Sequence, residues 1–126
     1  MSIPQRIDTD KAPGAVGPYS QAMATDNLIY TSGQLGINPA DKGIPEGVRE
    51  QAAQCLENVK AILEAAGSSL AKVLKVTVFL TDMADFAVVN EVYAGFFSQP
   101  FPARSCFAVK ALPLGAKVEV EVVAMR

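Results

Sequence analysis

The sequence of 126 residues contains no histidine. That absence removes the Ser-His-Asp and Cys-His nucleophilic systems, together with the usual ligand of catalytic zinc and copper centres. Any chemistry must therefore run on carboxylate, arginine, lysine, tyrosine, serine, cysteine or backbone groups. Cysteine is scarce: Cys55 and Cys106 are the two in the chain, and they form neither a CxxC redox pair nor a zinc ligand set. Reduced thiols in a reducing compartment are the simplest expectation. No apolar run approaches the roughly 18 residues that a bilayer span needs, and the opening Met1-Ser2-Ile3-Pro4-Gln5-Arg6 lacks the apolar core of a signal peptide. The expected location is the cytoplasm, with no membrane partner. An excess of positive charge is missing too. With 11 Lys and Arg against 13 Asp and Glu, the formal net charge is -2, which gives no electrostatic reason to bind nucleic acid or an anionic membrane.

What is present fits one soluble globular domain over residues 1–126, since half of the chain is hydrophobic and both signs of charge occur. The stretch Ala12-Pro13-Gly14-Ala15-Val16-Gly17-Pro18-Tyr19-Ser20 is dense in glycine and proline and predicts irregular backbone before a strand at 20–24. A second strand is predicted at 28–33, after a turn at Asp26-Asn27. Residues 36–47 carry Asn38-Pro39, Asp41-Lys42-Gly43 and Ile44-Pro45 and read as a lid or rim loop. From Val48, the apolar residues Ala52, Cys55, Leu56, Val59, Ile62, Leu63 and Ala66 recur at three- and four-residue steps, so a helix buries one stripe and ends at Gly67.

Residues 72–80 alternate, with Leu74, Val76, Val78 and Leu80 expected on one face and Val73, Lys75, Thr77 and Phe79 on the other. Thr81-Asp82 is a candidate cap for a second helix with a stripe of Met83, Phe86, Val89, Tyr93 and Phe96 or Phe97, ending before Pro100. Residues 103–111 and 116–125 read as strands, and the short link between them predicts a hairpin. The resulting order is ββαβαββ, an α+β pattern with two helices on one sheet face. Phe79, Val109 and Val123 are then left on the other face, which is most simply buried by copies of the same chain.

Arg104 and Cys106 share a face of one strand, and Glu119 and Glu121 share a face of the next. In a registered hairpin Arg104 would meet a glutamate. Arg104 is placed either to hold a small carboxylate bidentately or to make a structural ion pair with Glu119 or Glu121. Glu119, inside Val118-Glu119-Val120-Glu121-Val122, reads either as part of a solvated polar face or as a buried carboxylate tuned to activate water. Cys106 reads as a small core hydrophobe, with no His or Lys beside it to lower its pKa. Cys55 reads as core. Ser32-Gly33-Gln34 closes an apolar strand where glycine permits close backbone approach. Tyr19 offers a hydroxyl on a stiff loop, and Asn90 reads as structural support through a hydrogen bond to a loop.

Taken together, Gly17-Pro18-Tyr19-Ser20-Gln21-Ala22, Ser32-Gly33-Gln34, Asn90-Glu91-Val92-Tyr93 with Phe96-Phe97, Pro102-Ala103-Arg104-Ser105-Cys106 and Val118-Glu119-Val120-Glu121 resemble the RidA/YjgF family of imine and enamine deaminases. The likeness runs from about Ile7 to the last strand and includes Leu56-Glu57-Asn58-Val59 and Ala65-Ala66-Gly67. One departure is Ala52, where members often carry threonine; it touches nothing catalytic. The resemblance implies a chorismate-mutase-like fold of the bacillus type, a homotrimer around a barrel-like core, and three clefts between neighbouring subunits. It implies that Arg104 holds the substrate carboxylate, that Glu119 handles the attacking water, and that Ser32, Gly33 and Cys106 form walls and backbone contacts. Tyr19 would come from the adjacent subunit. The implied reaction is hydrolysis of 2-aminoacrylate or a related 2-imino acid to a 2-keto acid and ammonia, protecting pyridoxal-phosphate enzymes, with no metal or organic cofactor. The alternatives are a non-catalytic ligand-binding or chaperone-like trimer, and a ribonuclease or translation inhibitor.

Overall fold

The computed structural model describes residues 3–126. Strands β1 (Gln5–Ile7), β2 (Ala22–Ala24), β3 (Leu28–Thr31) and β4 (Gln34–Leu35) precede helix α1 (Val48–Ala65). Strand β5 (Val73–Leu80), helix α2 (Phe86–Phe96) and strands β6 (Ala103–Ala108) and β7 (Val118–Met125) follow. The sheet order is β1-β2-β3-β7-β5-β6, with β4 also paired to β7. Both helices cover one face, so the expected α+β architecture is present.

β7 holds the centre because its sequence alternates strictly: Val118, Val120, Val122 and Ala124 are buried, whereas Glu119, Glu121 and Val123 are partly exposed. The buried set meets Val76, Val78 and Leu80 of β5 and the α1 stripe of Cys55, Leu56, Val59, Ile62 and Leu63 in one core cluster. α1 ends as its sequence predicts. Gly67 takes φ +80, its N–H donates to the Glu64 carbonyl, and the Ser68 N–H donates to Leu63, the paired bonds of a Schellman cap.

Four expectations need correction, the last of them the strand at 28–33. The hairpin of the last two strands does not form: β6 pairs parallel with β5, and β7 pairs antiparallel with the other edge of β5. Pairing ends at Ala108, so the true link is residues 109–117, long enough to step over β5 to a position two strand spacings, about 10 Å, away. Its crossing is marked by Val109 N–H donating to the Leu80 carbonyl and Thr81 N–H donating to Lys117. Leu74 is not on the core face. A register irregularity between Val73 and Lys75 turns Leu74 out, 45% exposed, and puts Val73 in, 8% exposed. Asp82 caps a single 3-10 turn (Met83–Asp85) by accepting from the Ala84 N–H, and α2 begins only after it, leaving Met83 exposed.

The predicted strand at 28–33 is broken in two. Ser32 and Gly33 separate β3, which pairs with Val123 to Met125, from β4, which pairs with Glu119 and Val120. Just beyond it, Gly36 lies against α1: a Cβ there would sit 2.7 Å from the Gln51 carbonyl oxygen and 2.8 Å from its Cα. Neither backbone atom can swing away. Gly36→Ala is therefore expected to destabilise the fold by about 1–3 kcal/mol, the usual range for overpacking. Urea unfolding checks this, and an unchanged midpoint would refute the contact.

The uncovered sheet face retains apolar side chains. Met23, Tyr30, Phe107 and Met125 are exposed, and Phe79 packs edge-to-face on Phe107 with centroids 5.3 Å apart. Among the described residues, no helix is long and apolar enough to cross a membrane.

Candidate functional site

Directly opposed residues in a sheet share a face. Val76 pairs with Arg104 and Val78 with Cys106, so Arg104 and Cys106 lie on the helix-covered face. Phe79 pairs with both Glu119 and Phe107, so Glu119 lies on the uncovered face. Arg104 and Glu119 of one chain are thus on opposite sides of the sheet. The pairing of Arg104 with Glu119 or Glu121, open in the sequence, is absent.

The first cleft, of about 480 Å³, is lined by Tyr19, Ser32, Gly33 and Glu119 together with apolar side chains. Gly33 leaves room for the Glu119 carboxylate where it sits: a Cβ at this position would collide with it, and the glutamate side chain would have to swing away from the bare backbone. Among the described residues no hydrogen bond or ion pair occupies that carboxylate. Burial, and secondarily the charge of Glu121, raise its pKa above the ordinary value of 4.5. The Ser32 hydroxyl is already committed, donating to the Ser20 carbonyl at 2.6 Å, while the Ser32 N–H donates to Gln21. Tyr19 is half exposed, and its hydroxyl accepts a long 3.4 Å bond from the Val16 N–H. Tyr19 therefore belongs to the same chain's cleft as Ser32, Gly33 and Glu119. Within one chain, Arg104 and Cys106 stand apart from this cleft and Tyr19 lines it.

The second cleft, of about 420 Å³, is formed by Asn90, Tyr93, Ala94, Phe101, Pro102 and Arg104. The guanidinium donates to Asn90 Oδ1 at 2.8 Å and lies over the Tyr93 ring, 4.7 Å from its centroid, with Phe86 at 5.5 Å. Asn90 supports Arg104 rather than a loop. One acceptor and two ring faces fix the fork without neutralising it, so its remaining donors are available to a planar anion. Cys106 packs at the core edge, and burial raises its thiol pKa despite the opposing effect of Arg104. It stays a thiol at neutral pH. Cys55 is fully buried and its thiol is pushed far up by burial, in keeping with a core role.

Sequence reasoning gave no role to three buried amides that shape the first cleft. Gln21 accepts from Thr9 N–H and donates to the carbonyls of Thr9, Ala12 and Pro13, tying down the glycine-proline wall. Asn58 donates to the carbonyls of Leu35 and Ile37. Gln51 accepts from Lys117 N–H and donates to Pro45. For Gln51 and Asn58 the available signal was a polar amide beside the apolar stripe of α1, because a buried amide there must find backbone partners; Gln21, just before β2, carried no such periodic signal. Among the described residues, no group of three or more His, Cys, Asp or Glu side chains could hold a metal ion.

Residues 9–126 match the family model described as Endoribonuclease L-PSP. The chain is 58% identical over 118 residues to the RutC family protein y4sK of Sinorhizobium fredii, covering 93% of this chain and 94% of that protein. It is 50% identical over 121 residues to the 2-iminobutanoate/2-iminopropanoate deaminase of Bos taurus, covering 95% and 88%. The solved structure of Escherichia coli TdcF with bound serine matches with a TM-score of 0.93 at 46% identity, over 97% of this chain and 98% of that one.

Proposed function

This chain belongs to the Endoribonuclease L-PSP family, and from that premise we propose that it is a deaminase that hydrolyses 2-imino acids, including the imine tautomer of 2-aminoacrylate, to 2-keto acids and ammonia. The single observation that carries the reading is the Glu119 carboxylate, free of any ion pair and seated over Gly33 in a cleft. Arg104 anchors the substrate carboxylate, and Glu119 handles the water. Water adds to the C=N carbon as Glu119 takes one of its protons and passes it to the nitrogen, giving a neutral carbinolamine. The C–N bond then breaks as the hydroxyl loses its proton and the nitrogen gains it. Both protons of the water end on ammonia, and Glu119 is returned as carboxylate. An imine carbon is already electrophilic, so positioning substrate and water supplies most of what is needed.

Arg104 and Glu119 face opposite sides of one sheet, so a single small substrate meets both only where two subunits adjoin. The active form is a homotrimer that buries the exposed Tyr30, Phe107 and Met125 face, with Glu119, Tyr19, Ser32 and Gly33 from one subunit facing Arg104 and Cys106 of its neighbour. The whole chain acts as one domain, in the cytoplasm, where it removes imines that would damage pyridoxal-phosphate enzymes. The acidic balance and missing histidine disfavour RNA cleavage, and the deaminase name of a relative at 50% identity favours turnover over passive binding.

Mixed assemblies test the arrangement. Arg104→Ala and Glu119→Gln subunits, each inactive alone, are co-refolded in equal amounts and assayed for ammonia release from 2-aminoacrylate generated in situ. Random mixing pairs an intact Arg104 with an intact Glu119 in about one quarter of the clefts, so activity is expected to return to about that fraction. A mixture no more active than its separate components would place both residues in one subunit's site and end this reading.

A further inference from the structure

The cleft around Glu119 has a polar end and an apolar wall. Leu35 pairs in register with Glu119, so its side chain lies beside the carboxylate on the same face. Ile37 continues the wall, and the Asn58 side chain pins both the Leu35 and the Ile37 carbonyls. The wall is therefore built on fixed backbone. The link between β6 and β7 brings Pro113 and Leu114 to the lining of the same cleft.

Leu114 violates two expectations at once. Its backbone is left-handed, φ +58 and ψ 23, a region that L-residues with large side chains rarely occupy. Its side chain is 74% exposed, so burial within the chain does not repay that conformation. Glycine or asparagine would hold this turn with less strain. A leucine at a strained turn and presented to a cleft points to a role for the side chain in that cleft.

We propose that Leu114 is a specificity-determining residue: with Leu35 and Ile37 it closes an apolar wall that takes the aliphatic side chain of the substrate, so that branched and longer 2-imino acids are preferred to 2-aminoacrylate. This rests on the reading of the Glu119 cleft as the place of imine hydrolysis. Polar groups at the Glu119 end orient the imine, and the wall reads what hangs from it. A hydrophobic pocket discriminates by about 10-fold or more for each methylene it accommodates.

The test compares imines generated in situ by an amino-acid oxidase from leucine and from alanine, with kcat/KM for each taken above the spontaneous rate. The intact trimer is expected to favour the leucine-derived imine by about 10-fold or more. Leu114→Asn, whose side chain tolerates the left-handed turn, is expected to lower that ratio about 10-fold, with Leu114→Gly doing the same and Leu114→Met restoring most of it. Calorimetric binding of the stable product acids, 4-methyl-2-oxopentanoate against pyruvate, should shift in parallel. A wild-type ratio near one, or a ratio unmoved in both Asn and Gly variants that still turn over the imines, overturns the inference and leaves the deaminase reading standing. No acceleration of either imine by wild type overturns the deaminase reading and this inference with it.

Discussion

Replacing Glu119 by glutamine is expected to lower kcat by about 10²–10⁴, the contribution typical of a positioned general acid–base group. The amide keeps the shape that lies over Gly33 but accepts no proton from water. KM should change far less, because the carboxylate of the substrate is held by Arg104 and not by Glu119. Equal losses in kcat and in binding would assign Glu119 an electrostatic role instead. The pH profile supplies a second readout. Glu119 must be ionised to take a proton, and burial followed by the charge of Glu121 lifts its pKa above 4.5. The acid limb of kcat/KM in wild type is therefore expected above the ordinary glutamate value of 4.5, and Glu121→Gln should move it to lower pH. The stability effect has the opposite sense. A raised carboxylate pKa means that the folded state binds a proton that the unfolded state has released. Glu119 therefore favours the fold least once the pH has risen through the raised value, and Glu119→Gln should remove that loss.

Arg104→Ala is expected to lower kcat/KM by at least about 30-fold, from losing one partner of a hydrogen-bonded charge pair with the substrate carboxylate. The fold should survive. Arg104 is only partly buried, and removing it leaves Asn90 Oδ1 without a partner at a cost of about 1–3 kcal/mol. Arg104→Lys retains the charge but loses the planar fork that stacks over Tyr93, so it should recover only part of the loss. The defect should appear in KM and in binding of the product 2-keto acid, opposite to the pattern for Glu119→Gln. Pyruvate and ammonia release from in situ 2-aminoacrylate, with circular dichroism to confirm folding, decides the point. Wild-type rates in the alanine variant would remove Arg104 from the site.

Much of the fold was legible because its signals are local. The α1 stripe, its stop at Gly67 and the alternation of β7 depend on the period of a helix or strand and on the backbone freedom of one glycine, all written within a few residues. The order of the strands was not legible in the same way. Residues 103–111 carry strand-like composition beyond Ala108, where pairing stops, and only the finished sheet shows that the link passes over β5. The outward turn of Leu74 is likewise set by the match of β5 to β7, since alternation alone cannot reveal an extra residue.

The same division holds for the candidate site. The chemical vocabulary was already written in the residues: no histidine, an arginine after Phe101-Pro102-Ala103, glutamates alternating with valines, and a glycine in Ser32-Gly33-Gln34. These are properties of residue types and short spacings, and they were enough for the family resemblance. Only the tertiary structure decided that Gly33 leaves room for the Glu119 carboxylate and that Asn90 and Tyr93 orient Arg104. It alone put Arg104 and Glu119 on opposite faces. The reason is physical: a side chain's face follows from its own strand's alternation, but which faces coincide depends on pairing between segments far apart in the chain, and that pairing is fixed by the packing of the whole sheet.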